Sequence, residues 1–385
     1  MRAAALALVC FLVGACFQPA PHEGFACGLD NWCPGPLFCA ADHTCRSANS
    51  LGDGGVDGPP GPSNYAFVTS QTFLAGSLMS IAGADQECMK AAMAASLPGR
   101  YVAWLSVSGN SARDRLGGAS GWHRTDGKPF AHDFLTLAEG NMFYPLRKTE
   151  RGADLDTDVV LTGTDDLGNS SGEDCLGLTN STGAQLITVG ESTGAMHRWT
   201  NPTDTSCSQP GHLYCLQIDY QQAVVPAREA GLLAFVSPAY MPKNGLAGAD
   251  ANCMAEAAGA HLPGKFQALL STTAVAALDR FQPLPSTPWV RVDGVATTRD
   301  FVTWDAPINV IASGAYVDLP VYSGATSPAN KSASLNDSCD DWTGGNSAIL
   351  GTAASASTKA FSDTGTATSS PATCVAGGVY CLQVQ

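Results

Sequence analysis

Charge is scarce in this sequence. Only 14% of its 385 residues are charged, and Lys and Arg together number 20 against 34 Asp and Glu. With a formal charge of −14 and no basic cluster, nucleic acid, heparin-like polyanions and acidic membrane surfaces are excluded as partners, because each needs concentrated Lys and Arg. After residue 15 no apolar run is long enough to span a bilayer. No Cys-x-x-Cys pair occurs and the seven His do not fall at matching places, which argues against a zinc site. What is present in quantity is Gly, with Ser, Thr and Ala, plus 14 Cys and seven Trp, enough aromatic surface for packed cores.

The N-terminus reads as a targeting segment. Arg2 supplies a positive start, Ala3 to Ala15 is apolar but short, and Leu12-Val13-Gly14-Ala15-Cys16 has the form of a lipobox. Residues 1–15 are therefore expected to be a lipoprotein signal peptide. Cys16 is expected to be lipidated, and 16–26 to form an anchor and tether at the outer membrane or cell surface. Cys10 leaves with the signal and Cys16 is taken by lipid. Twelve cysteines remain, in groups of four: Cys27, Cys33, Cys39, Cys45; Cys88, Cys175, Cys207, Cys215; and Cys253, Cys339, Cys374, Cys381. Even counts in an exported chain imply disulfides. The first group, residues 27–45, is too short for a hydrophobic core and reads as a cysteine-rich knuckle held by two bridges, like those of many myxobacterial lipoproteins. Residues 46–63, with Gly58-Pro59-Pro60-Gly61-Pro62, read as a Gly/Pro linker.

The remainder repeats itself. Gly83-Ala84-Asp85 recurs as Gly248-Ala249-Asp250, and Cys-Met, Leu-Pro-Gly and Leu-Ser follow in both copies at one constant offset. Further on, Asp114-Arg115 matches Asp279-Arg280, and Trp122 with Asp126-Gly127 matches Trp289 with Asp293-Gly294. The copies close on Tyr214-Cys215-Leu216-Gln217 and Tyr380-Cys381-Leu382-Gln383. Rigid spacing early and drifting spacing later indicate a fixed core with variable loops. Two domains are expected, 64–219 and 231–385, joined by a linker at 220–230.

Within each copy the pattern predicts an α+β fold. Tyr65 to Thr69 reads as a strand, and Asp85 as the N-cap of a helix over Gln86 to Ala95. A strand is expected at Tyr101 to Leu105, a short helix from Gly109 to Leu116, a long loop region from Glu139 to Asp174, and a closing strand at Leu213 to Ile218.

Gly-Ala-Asp-x-x-Cys, Leu-Pro-Gly, the Trp, Asp-Gly and the final Tyr-Cys-Leu-Gln together resemble the endostatin domain. They also resemble domains of unknown function in myxobacterial and leptospiral lipoproteins, all within the C-type-lectin-like fold. Both copies carry the resemblance. Cys339-Asp340-Asp341-Trp342 fits the family's Cys-x-x-Trp, whereas Cys175-Leu176-Gly177-Leu178 lacks the Trp. The resemblance implies nested bridges: Cys88–Cys215 around Cys175–Cys207, and Cys253–Cys381 around Cys339–Cys374. Endostatin's basic face and His-rich zinc site have no counterpart here, nor do the calcium and sugar motifs of true C-type lectins. The fold is implied; the function is not.

No catalytic set recurs in both copies. His123 aligns with Val290, His132 with Arg299 and His212 with Gly378, so an enzyme is not expected. Asp114-Arg115 and Asp279-Arg280 read as local ion pairs or helix-end charges, and Asp126 and Asp293 as turn residues. Asp165, Asp166, Asn169, Glu173 and Asp174, with Asp337, Asp340 and Asp341 beside the equivalent Cys339, read first as solvated turns. Their oxygens would also suit calcium, though no spacing fits an EF-hand. The function expected is a surface-exposed, non-catalytic binding or adhesion module for polysaccharide or extracellular matrix. The alternative is a structural envelope protein that contacts other proteins and binds no glycan.

Overall fold

The computed structural model describes residues 63–156, 158–356, 361 and 373–384, with the backbone of two short strands before them. The chain divides into two compact units, Met1–Pro59 and Pro60–Gln385. In the first unit β1 (Leu37–Cys39) and β2 (Cys45–Ser47) pair antiparallel, with Cys39 opposite Cys45. The expected signal segment, Cys16, and the side chains of Cys27, Cys33, Cys39 and Cys45 lie outside the described residues.

The second unit mixes helix and strand and builds one topology twice. Its first half contains β3 (Asn64–Val68), β4 (Tyr101–Ala103), β5 (Trp122–Arg124), β6 (Pro129–Ala131), β7 (Val159–Leu161), β8 (Leu186–Glu191), β9 (Thr203–Ser206) and β10 (Tyr214–Gln217). The second half contains β11 (Leu232–Tyr240), β12 (Lys265–Ala268), β13 (Trp289–Arg291), β14 (Ala296–Thr298), β15 (Pro320–Tyr322), β16 (Leu350–Thr352) and β17 (Gly377–Val384). The sheet order β4-β10-β3-β5-β6 reappears as β12-β17-β11-β13-β14. In each half the first and last strands pair antiparallel, and the first also pairs parallel with the strand that starts at a Trp.

Both faces of each sheet are buried, as the strands' apolar runs require. Phe67 and Cys215 face a core shared with Ala84, Cys88 and Tyr101, while Ala66, Val68, Tyr214 and Leu216 face Trp104, Trp122 and Trp199. The second half repeats this with Phe235 and Cys381 on one face and Ala234, Val236 and Tyr380 on the other.

Helix α1 (Ile81–Ala94) starts earlier than its sequence suggests. Ser80, not Asp85, is the N-cap, its hydroxyl accepting the Gly83 N–H at 3.2 Å. The counterpart of Asp85, Asp250, is likewise interior to its helix, which spans Gly245–Gly259 and begins after the left-handed Asn244. The short helix α2 covers only Ala112–Arg115, and α3 (Phe134–Ala138) and β7 stand in or beside the region expected to be loop.

The repeated motif residues each hold the scaffold. A side chain on Gly83 would lie 1.9 Å from the Leu78 carbonyl oxygen, and one on Gly248 equally close to that of Lys243, so only glycine fits this helix entry. Ala84 and Ala249 are fully buried. Met89 Sδ accepts the Tyr101 N–H and Met254 Sδ the Phe266 N–H, both at 3.1 Å. The indoles of Trp122 and Trp289 donate to the carbonyls of Gln217 and Gln383. Four disulfides join Cys88–Cys215, Cys175–Cys207, Cys253–Cys381 and Cys339–Cys374, the nested pairs that the family resemblance implies. Each inner bridge holds a turn of four successive positive-φ residues, Cys175–Leu178 or Cys339–Trp342. Such a conformation costs about 1 kcal/mol per non-glycine residue and needs the bridge to hold it.

Candidate functional site

Asp85 and Asp250 serve as struts between elements. Each accepts the N–H of the following strand (Ala103, Ala268) at 2.9 Å and pairs with an arginine, Arg115 or Arg280. Arg115 also donates to the carbonyls of Ala103 and Leu105. The Asp-Arg dipeptides are thus helix-end charges, the Asp in the first turn and the Arg in the last, and not internal ion pairs. Their arginines reach back to the first helix, while Asp114 caps locally with Ser111.

Asp126 and Asp293 do sit in turns, and each holds a guanidinium that sequence reasoning passed over. Arg124 and Arg291, two residues earlier, are 2% and 0% exposed and lie beside these carboxylates at 2.5 Å. Burial pushes the Asp126 carboxyl up, but the Arg124 hydrogen bond and charge, with Lys128 and Lys148, outweigh it and hold it below the usual carboxylate range. The Arg-x-Asp-Gly spacing in both copies was the available signal.

The residues considered for calcium are not gathered into a site. Asp165 accepts from the backbone of Leu167 and Asn169 and from the Asn169 side chain, and Asp166 accepts from Asn201. Asp174 accepts from Ser108 and Gly177. Asp341 takes two bonds from Thr273 and one from Ser338, and Asp337 one from Ser334. Glu173 and Asp340 are exposed. The oxygens of Asp165, Asp166, Asp174, Asp337 and Asp341 serve as loop staples, and among the described residues no cluster of three or more His, Cys, Asp or Glu could hold a metal. Calcium does not fit this donor set.

Histidines are also dispersed. His132 bonds the Val224 carbonyl and His212 that of Thr69. Ser63 Oγ lies 2.8 Å from His123 Nδ1, but no carboxylate bonds the other ring nitrogen among the described residues.

The place where exposed charge does gather is the junction of the two halves. Phe143 and Tyr144 pack with Val295 and Ala306 as a small apolar plug. The Tyr144 hydroxyl accepts the Ala296 N–H at 3.1 Å, and burial pushes its pKa up to about 12. Arg147 donates to the Trp304 carbonyl at 2.8 Å, and His197 contacts Asp318. Beside the plug opens a groove of about 350 Å³ lined by Lys128, Glu229, Arg299, Asp300, Thr303 and Asp305, with Ala296 in its wall. Lys128 Nζ sits 4.7 Å over the Tyr144 ring and 3.2 Å from Asp305, which is half exposed. Asp300 accepts the N–H groups of Val302 and Thr303. The groove offers both charge signs and hydroxyls, and its lining contains no His, Cys or Ser. It can hydrogen-bond a polar ligand. None of its residues was singled out by sequence reasoning as a ligand contact, because they come together only when the halves meet.

No family model matches the chain, and no curated protein matches it.

Proposed function

We propose that this chain is a non-catalytic binding module for polysaccharide or extracellular matrix, exported and lipid-anchored through Cys16. Its two halves are taken as endostatin-like copies of the C-type-lectin-like fold. Support for the fold comes from the nested disulfides and from first and last strands paired side by side in both halves. Support for export comes from the lipobox and from bridges that persist only in an oxidising compartment.

One observation carries the functional proposal. The side chains repeated in both halves are committed to the scaffold, whereas the groove is lined by unrepeated, partly exposed Lys128, Arg299 and Asp305 beside the repeated Asp300. Mixed carboxylates, cations and hydroxyls suit a polyhydroxylated ligand, whose many donors and acceptors need partners of both kinds.

The test is a glycan array probed with oxidised protein from Pro60 onward, with calcium and with chelator. Binding to one glycan class that is lost in Lys128→Glu and Arg299→Glu, and is indifferent to chelator, is expected. No glycan binding by well-folded protein, together with recovery of one stoichiometric envelope protein, would instead establish the structural role.

A further inference from the structure

The contacts between the halves are reciprocal. Equivalent positions follow from strand register: Val160 bridges His212 as Val321 bridges Gly378, and β7 pairs with β8 as β15 pairs with β16. Glu191 therefore corresponds to Thr352, and Thr193, Gly194 and Ala195 correspond to Ala354, Ser355 and Ala356. Across the junction Gly194 bridges its own counterpart, Ser355, antiparallel. Ala195 N–H donates to the Ala354 carbonyl at 2.7 Å, and Ala356 N–H donates to the Thr193 carbonyl at 3.0 Å. Exchanging the halves turns each of these bonds into the other.

A second, separate region behaves the same way. Phe143 N–H bonds the Phe130 carbonyl as Asp305 N–H bonds that of Thr297, so Met142 corresponds to Trp304 and Phe143 to Asp305. The equivalent carbonyls of Met142 and Trp304 each accept a guanidinium from the opposite half, although the donors, Arg291 and Arg147, are not equivalent positions. The Lys128–Asp305 pair maps onto Val295 and Phe143, which share the apolar plug. Residue i of one half meeting j of the other, and j meeting i, is the signature of an isologous two-fold contact.

We infer that the junction is a homodimer-type interface made intramolecular: each half carries a self-complementary face whose fitting partner is a second copy of the same domain. The linker only raises the local concentration of that partner. All four described bridges close within one half, so no covalent bond other than the main chain joins them. The axis is broken at one place. The charged groove on the Lys128–Asp305 side has the apolar Val295–Phe143 contact as its counterpart, so this groove is not duplicated by the symmetry. This symmetry does not depend on the ligand proposed above.

The experiment uses the full oxidised chain with a protease site inserted at the exposed Ala227. After nicking, native mass spectrometry and gel filtration are expected to find the two halves as a one-to-one complex that separates on dilution. Free halves at micromolar concentration would overturn the inference. Hydrogen exchange supplies a readout that needs no substitution in the interface. The Ala195 and Ala356 amides are expected to exchange within about ten-fold of one another and to speed up together when the nicked protein is diluted. Free exchange at either one, or acceleration of one alone, would show that the contact is not reciprocal.

Discussion

Arg280 holds both carboxylate oxygens of Asp250 at 2.7 Å, and Asp250 in turn holds the N–H of Ala268. A helix, a strand and the turn after it are locked by one carboxylate, and Asp85 with Arg115 repeats the lock in the first half.

Asp250→Ala leaves a guanidinium that is only 9% exposed without its counter-charge. The expected loss is about 2–4 kcal/mol, at the lower end because the carboxylate is partly solvated. Urea unfolding of the oxidised protein measures it, and a loss below about 0.5 kcal/mol would show that the lock is ornamental.

Trp342 is fully buried and donates its indole N–H to the Ser271 carbonyl, where the first half has Leu178. Trp342→Leu is expected to cost about 2–4 kcal/mol from the void and the unpaired carbonyl. Leu178→Trp, by overfilling a packed core, is expected to destabilise by about 1–3 kcal/mol. Thermal denaturation of both variants checks the pair; stabilisation by Leu178→Trp would mean that the first half keeps room for the ring.

Among the groups whose folded pKa values are depressed are His123 and Asp126. Burial lowers the His123 pKa below 6.5, so the unfolded chain takes the proton before the folded ring does. Its contribution is complete above pH 6.5 and is lost as pH falls from there through the folded value. Asp126, held low against burial by Arg124, contributes fully above its ordinary carboxylate value and loses that contribution as pH falls through its folded value. Stability measured against pH should lose part of its upper acid step in His123→Gln and part of its lower one in Asp126→Asn, with His197 and Asp154, Asp219 and Asp341 supplying the remainder. Unchanged profiles would contradict the assignment.

The outer bridges close loops of sequence separation 127 and 128, the inner ones of 32 and 35. Through the unfolded chain, removing an outer bridge as a Cys-to-Ala pair should cost about 1 kcal/mol more than removing the inner bridge of the same half. Denaturation of the four double variants gives the ranking, and the reverse order would point to native-state packing at the inner turn as the larger effect.

Calcium at millimolar concentration is expected to leave the melting temperature unchanged, because Asp165, Asp174 and Asp341 are already bonded within their loops. A rise that chelator reverses would show that these loops can reorganise around the ion.

The mixed fold and the duplicated scaffold were legible because Gly, Cys, Trp and Leu-Pro-Gly fix backbone geometry wherever they fall. Asp85 misled because an Asp ahead of an Ala-rich run has the look of a cap, while the actual cap, Ser80, precedes a segment with little helical pattern. The acidic loop at Asp165–Asp174 looked like a ligand set because sequence shows oxygens but not the N–H groups they face. The groove was illegible for a different reason. Lys128, Glu229 and Asp305 are far apart in sequence, and their meeting depends on how the halves dock.

The pairing of first and last strands bears on how the chain would carry a mechanical load. Leu216 lies opposite Ala66 and Cys215 opposite Phe67, and in the second half Leu382 lies opposite Ala234 and Cys381 opposite Phe235. A pull on the entry and exit of either half therefore peels these strands like a zipper, opening one pair at a time at low force. The peeling can draw out only the first strand and the helix as far as Cys88 or Cys253, because these cysteines are bolted to Cys215 and Cys381 and the chain between them stays closed. Under tension each half could therefore lengthen only by a short leader and would keep most of its residues behind a covalent stop.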